Sequence, residues 1–444
     1  MSKKQNKFEL PENQEIKQQA VVIIHGIGEQ KPMDTLRSFV YSIHSYLKEN
    51  DDSESSAKVF SKPDKIADLF ETRRLKLSGT RNRPSTDFYE FYWAHNMRDS
   101  TFEHTFVWLK NLIWSKRNKV PKRLKPVRWA ILVVPVVVFL VCITLMYIYP
   151  NIWTLLLSFI TSIGFILTYV YKALGNVYRQ YLADAARYFT PIPDNIEQRV
   201  KIRQQGVEFL KKLHNLEEKK DYERIIIVGH SLGSVVAYDL LRLLWIEYHA
   251  TYDKISEIDQ SHIKEINKFC ANPSTLEDID AFQNLQYACW KQQRAISNKW
   301  LITDLITIGA AINYADYLTV NNIEFEQLVN QREFPTCPPI ADEKEDEIFY
   351  HQHFTDPNGK EKDIKILHHA APFAITRWTN IFFSTDFVGG EMQRIFGKGI
   401  KDIKIDLKGR FILKWFYPKG HTNYWDGTNS ESIQAIVKAL KLRH

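Results

Sequence analysis

The sequence predicts an α/β domain, a doubly wound and mostly parallel sheet. Three observations predict it. Short β-rich apolar runs recur along the chain, at 20–24 (AVVII), 225–228 (IIIV) and 301–308 (LITDLITI). Segments with apolar residues at helical spacing follow two of them, at 34–47 and 235–245, as crossovers between parallel strands require. Glycine-rich turns join these strands to their helices, HGIG at 25–28 and GHSLG at 229–233.

The chain has 444 residues, of which 44% are hydrophobic and 25% charged. That suffices for one large domain with insertions. The first twenty residues are polar and lack an apolar h-region, so no signal peptide is expected. The formal net charge is +7, but seven basic residues and no acidic one fall between Lys116 and Arg128. Outside that run the charges nearly balance, which argues against a general nucleic-acid binder. The four cysteines, Cys142, Cys270, Cys289 and Cys337, form no C-x-x-C pair. That suits a reducing compartment rather than a disulfide framework or a zinc site.

The aromatic run 87–93 (DFYEFYW) alternates and reads as a second strand. The apolar and aromatic stretch 101–114 reads as approaching a membrane surface. Residues 129–149 and 152–171 are then both uncharged, separated by Pro150 and Asn151. About 20 residues at a rise of about 1.5 Å cover a hydrocarbon core of about 30 Å. Trp129 with Tyr169 and Tyr171, and Tyr147 and Tyr149 with Trp153, would form the two interfacial belts. The expectation is a transmembrane hairpin with both ends on one side. Two buried core helices or an in-plane hairpin are the rival readings. The basic run before it, with Lys172 and Arg179 after it, puts that side in the cytoplasm. The run at 116–128 either sets this topology or also holds anionic lipid headgroups.

After the hairpin, 195–213 is amphipathic, with Ile196, Val200, Val207 and Leu210 at helical spacing. Residues 246–300 read as polar and helical, a cap insertion with a break and helix cap at Asn272-Pro273-Ser274. The acidic stretch 320–365 reads as a surface insertion. Two late strands are expected at 374–383 and 411–417. The hairpin separates two parts of one domain, so the organisation is 1–97, an insertion at 98–185, and 186–444.

The chemistry is expected at Ser231. G-x-S-x-G between an apolar strand and a helix is a nucleophile elbow, a strained turn that lifts the serine hydroxyl above the sheet. The helix start behind it favours developing negative charge. A serine hydroxyl needs a base, and His421, late in the chain within PKGHTNYWDG, is best placed. An acid must hold the histidine's tautomer. Asp386 in FSTDFVGG is preferred, with Asp316 in the loop after the preceding strand as its rival. The oxyanion donors are expected to be the backbone N–H groups of Leu232 and, in the HGIG turn, Ile27. His368 and His369 read as structural, with no metal site expected.

At HGIGEQ, YEFYWA, IIIVGHSLGS, LITIGAA, RWTNIFFSTDFVGG and KGHTNYW the chain resembles the α/β-hydrolase superfamily, in its lipase- and esterase-like members. These pieces lie within residues 21–427, in that family's order. The resemblance implies Ser231 as nucleophile, His421 as base, Asp386 as acid, and no cofactor. The hairpin and the insertions at 246–300 and 320–365 depart from compact members. The expected function is a membrane-embedded serine hydrolase acting on carboxylic esters, with membrane lipid as the substrate. An esterase or thioesterase acting on soluble or protein-linked acyl groups is the alternative. An inactive membrane scaffold of the same fold is the alternative of another class.

Overall fold

A computed structural model describes residues 16–26, 31–50, 58–67, 69–80, 83–97, 125–148, 157, 160–165, 188, 193–215, 222–252, 260–315, 325–342, 346–355, 359, 361–386, 388–406, 419–426 and 429–442. Its ten strands are β1 (Gln18–Ile24), β2 (Val59–Pro63), β3 (Arg73–Leu77), β4 (Ser85–Phe91), β5 (Arg224–His230), β6 (Ile302–Ile308), β7 (Phe349–Thr355), β8 (Glu361–Leu367), β9 (Arg377–Phe383) and β10 (Lys401–Ile405). Eight of them form one sheet in the order β10-β9-β6-β5-β1-β4-β3-β2. From β10 to β4 every neighbour is parallel. Only at one edge is the pairing antiparallel, where β3 runs against both β4 and β2. The fold is therefore mixed α/β with a mostly parallel sheet.

Both faces of the sheet are covered, which is why the central strands read as nearly unbroken apolar runs. Side chains alternate across the pleat. Ala20, Val22 and Ile24 of β1 join Ile225 and Ile227 on one face, under the helices Pro193–His214 and Gly233–Tyr248. Val21 and Ile23 join Ile226 and Val228 on the other, under the helices Asp34–Asn50 and Ser430–Ala439. From β1 the chain runs out to the edge strand β2 and returns inward through β3 to β4, which pairs with β1, then places β5 on the other side of β1. The carboxyl ends of β1 and β5 thus flank a topological switch point, the crevice where such sheets place ligands.

The expected strands at 20–24, 87–93, 225–228 and 301–308 correspond to β1, β4, β5 and β6. The expected strand 374–383 begins later, at Arg377, because Pro372–Ala374 forms a 3-10 turn. The one expected at 411–417 lies outside the described residues. The stretch 320–365 is more than a surface insertion. It holds a helix at Phe325–Asn330 and an antiparallel β7–β8 pair, anchored by buried Ile348, Phe349, Ile366 and Leu367.

In 246–300 the helices Ser261–Ala271 and Ile279–Ala295 are separated by a 3-10 turn at Pro273–Thr275. The capping residue is Asp278, not the Asn272 region: its carboxylate accepts from the Ala281 N–H at 3.0 Å. Gln283 and Gln286 on the second helix donate to the carbonyls of Trp378, Phe373 and Thr376. These contacts lie at the start of β9, the end away from the loop that carries Asp386.

A helix of 24 residues spans Lys125–Ile148. Val136, Phe139, Leu140 and Val141 on it are each more than half exposed. Among the described residues no helix is long and apolar enough to cross a membrane. The side chains of this helix are described only in part, and most of 152–171 lies outside the described residues. The transmembrane hairpin expected at 129–149 and 152–171 is therefore not part of the established fold.

The flanks of the insertion are well anchored. Trp93, just before it, packs edge-on against Tyr188, near its far end, at 6.5 Å. The Tyr188 hydroxyl donates to Asp239 at 2.9 Å, and Arg203 and Arg242 clamp the same carboxylate. Burial opposes the charge on Asp239, but the two guanidinium groups outweigh it and push the pKa well below the usual carboxylate range. A paired and fully hydrogen-bonded buried charge is tolerated where a lone one is not.

Candidate active site

The site begins where β5 turns into the helix Gly233–Tyr248. Ser231 occupies that turn with φ +54°, a left-handed conformation that costs a non-glycine residue free energy. The surroundings hold it there. The Ser231 N–H donates to the Ile308 carbonyl at 3.0 Å. Its own carbonyl accepts from the N–H and hydroxyl of Ser234 at 3.0 and 2.6 Å, and from the Ala311 N–H at 3.3 Å. A Cβ on Gly233 would lie 2.1 Å from the Ile24 carbonyl oxygen, so no larger residue fits between the helix and β1. The strand-to-helix turn expected from GHSLG is present, with the serine on it.

Ser231, His421 and Asp386 are brought together from three distant parts of the chain. The His421 Nε2 lies 2.8 Å from the Ser231 Oγ, and its Nδ1 lies 2.9 Å from the Asp386 Oδ2. All three side chains are buried. Asp386 follows the end of β9, and its Oδ1 accepts from the Val388 N–H at 2.8 Å. Burial alone would raise the Asp386 pKa. The neighbouring His421 and the hydrogen bonds from His421, Tyr424 and Val388 outweigh that and hold it below its ordinary value. The carboxylate is therefore charged and aimed at one imidazole nitrogen, which leaves the other free to accept from the serine hydroxyl. The rival acid, Asp316, lies outside the described residues. His421 sits on a short helical turn, Lys419–Thr422, rather than an open loop.

The second face of the site comes from the end of β1. A Cβ on Gly26 would lie 2.8 Å from the Ser231 Cβ and 3.4 Å from its Oγ, so only glycine lets this backbone approach Ser231 so closely. Ile27 lies outside the described residues. Leu232 caps the following helix in helical conformation, so its N–H belongs to the first turn, where amides lack intrahelical acceptors. Among the described residues no acceptor takes it. Gly26→Ala is expected to lower the rate of Ser231 acylation by about 100-fold, the scale of an ångström-sized displacement at a reacting centre. Stopped-flow labelling alongside a thermal melt would check this; an unchanged rate would separate Gly26 from the site.

Two histidines that the motif reading left without a role support this geometry. His25 is fully buried, and burial drives its pKa down to about 4. It is neutral, and the Trp93 N–H donates to its Nε2 at 3.2 Å. Its proton therefore sits on Nδ1, which donates to the Gly26 carbonyl at 2.6 Å. The Trp93 indole N–H donates to the His25 carbonyl at 3.0 Å. His230, one residue before Ser231, is pushed down to about 3, chiefly by burial and then by the His421 ring. Its Nε2–H reaches the His421 carbonyl at 3.2 Å, and its ring stacks on His421 at 5.3 Å. Both residues stand inside the motifs HGIG and GHSLG, yet nothing in the spacing distinguishes a supporting histidine from a reacting one.

His368 is structural: its Nε2 faces the Ile340 carbonyl at 2.9 Å, and its Nδ1 accepts from the Ala370 N–H. Among the described residues no group of three or more His, Cys, Asp or Glu is arranged to hold a metal ion. Comparison with known proteins finds no matching family model, no matching curated protein and no matching solved structure.

Proposed function

We propose that this chain is a serine hydrolase of the α/β-hydrolase type that cleaves carboxylic esters, with membrane lipid as the substrate. The observation that carries the reading is the unbroken path from Asp386 through His421 to Ser231. The Ser231 Oγ attacks the ester carbonyl carbon while its proton passes to the His421 Nε2. Asp386 stabilises the imidazolium without taking the proton. The Leu232 N–H, and an N–H from the loop after Gly26 with Ile27 as the expected donor, hold the oxyanion. Collapse expels the alcohol, which leaves with the proton from His421. Water, deprotonated by the same histidine, then releases the acyl group as a carboxylic acid and restores the serine. These steps require no cofactor.

The lipid assignment rests on position. The insertion carries two long uncharged runs, a basic run at 116–128 and exposed apolar side chains on Lys125–Ile148. Its flanking Trp93 is bonded to His25 beside Gly26. A bilayer that takes up the apolar runs would sit close to the nucleophile, and the basic run would meet anionic headgroups. On this reading the chain spans the membrane by a hairpin, and the hydrolase domain faces the cytoplasm. The test compares hydrolysis of phospholipid in anionic vesicles with that of a short soluble ester, in wild type and Ser231→Ala. Faster turnover of vesicle phospholipid, lost in the variant, is expected. Turnover of the soluble ester alone would retain the hydrolase and reject the lipid.

A further inference from the structure

Asp386 carries more than its bond to histidine. The Tyr424 hydroxyl lies 2.6 Å from the Asp386 Oδ2, the same oxygen that receives the His421 Nδ1. The direction of this bond is set by a second one. The Phe383 N–H, at the end of β9, donates to the Tyr424 oxygen at 3.0 Å, so the phenolic proton points at the carboxylate. The ring is fully buried and stacks on Phe383 with centroids 4.2 Å apart and planes 9° apart. The Ser432 hydroxyl ties down the Tyr424 carbonyl at 2.6 Å. Room for this arrangement comes from Gly309, with φ +53°, where a Cβ would lie 2.7 Å from the tyrosine ring and 3.0 Å from the Asp386 Oδ2. The titratable groups facing the phenol are Asp386 after β9, His421 on its own turn, and His230 at the end of β5, 6.1 Å away ring to ring.

We infer that Tyr424 is a positioning residue for the proposed hydrolysis, acting through Asp386: it fixes the carboxylate and draws part of its charge away from His421. The inference rests on the hydrolase reading and adds a fourth member to its relay. Two donors on one carboxylate oxygen compete for its electron density. With the phenol present, the carboxylate stabilises the His421 imidazolium less than it would alone. The imidazolium formed as the serine attacks is then held less firmly, and it gives up its proton more readily to the leaving alcohol.

The test is the pH dependence of Ser231 labelling by a fluorophosphonate probe. In Tyr424→Phe the acid-side midpoint is expected to rise by about half a pH unit, with the plateau rate down about tenfold. A purely structural tyrosine would change the plateau and leave the midpoint where it was. Tyr424→Phe also removes the acceptor for the Phe383 N–H, so a second substitution guards against misfolding. 3-Fluorotyrosine incorporated at position 424 keeps both hydrogen bonds and donates more strongly; its midpoint is expected to fall below that of wild type. An unmoved midpoint in folded Tyr424→Phe, or with 3-fluorotyrosine, overturns the inference while wild-type labelling stands. Failure of the wild type to label at any pH overturns the hydrolase reading and this inference together.

Discussion

Asp386→Asn is expected to lower the rate of Ser231 acylation by about 10⁴-fold at neutral pH, with the fold retained. The carboxylate accepts from the His421 Nδ1–H at 2.9 Å. An amide placed there can present its NH₂ to Nδ1 and stabilise the opposite tautomer. The proton then moves to Nε2, the nitrogen 2.8 Å from the Ser231 Oγ. A protonated Nε2 cannot accept the serine proton, so the nucleophile stays a neutral hydroxyl. The oxyanion donors and the strained elbow are untouched, so a residual rate above that of water should remain. The same substitution at Asp316 separates the two acids expected from sequence. A large loss at Asp386 and a small one at Asp316 is the expected pattern, and the reverse would place the acid in the other loop.

The second large effect is on stability in acid. Four histidines, three of them buried and His214 half-buried, have their pKa values driven down by desolvation, His25, His214 and His368 to about 4 and His230 to about 3. Each is neutral in the folded chain, whereas an unfolded histidine takes a proton near its ordinary 6.5. Their contribution is therefore fully present above pH 6.5 and is lost as the pH falls towards 4. Displacements of this size correspond to about 3 kcal/mol for each of the first three and about 5 kcal/mol for His230. Glu90 works the other way. Burial raises its pKa to about 7, so its contribution is present below 4.5 and lost as the pH rises through 7. One carboxyl offsets about one histidine, which leaves the histidines in control. Set against a stability of about 5–15 kcal/mol, unfolding well above pH 4 is expected. Denaturant melts between pH 7.5 and 5 should show steadily falling stability with net proton uptake on unfolding. Stability independent of pH across that range would contradict the burial of these rings.

Much of the sheet was legible because its central strands are buried on both faces. AVVII, IIIV and LITDLITI carry that signature within their own residues. The edge strands do not. VFSKP, RRLKL and KDIKI mix charged or polar residues with apolar ones, as strands at or near a solvent-facing edge do. The β7–β8 pair was hidden by the exposed His351 and His353, although the intervening DPNG at 356–359 is a turn sequence. The site was legible to the extent that its chemistry is local. Ser231 stands in a short motif, whereas His421 and Asp386 followed from order along the chain and from loops after strands. Tyr424 left no such trace. Its role depends on a backbone N–H of β9 meeting its hydroxyl, a contact between elements that spacing does not encode. Asn272-Pro273-Ser274 misled in a similar way: the break is there, but the helix start belongs to Asp278, whose neighbours decide which side chain reaches the free N–H groups.

On the proposed mechanism Ser231 is an activated nucleophile. The most direct measurement of that activation is intact-mass and peptide mapping of the purified 444-residue chain after exposure to a fluorophosphonate. A single adduct is expected on the peptide carrying Ser231, absent in Ser231→Ala and strongly slowed in Asp386→Asn. No adduct on folded wild-type protein, or one that persists at the same rate in His421→Ala, would contradict it.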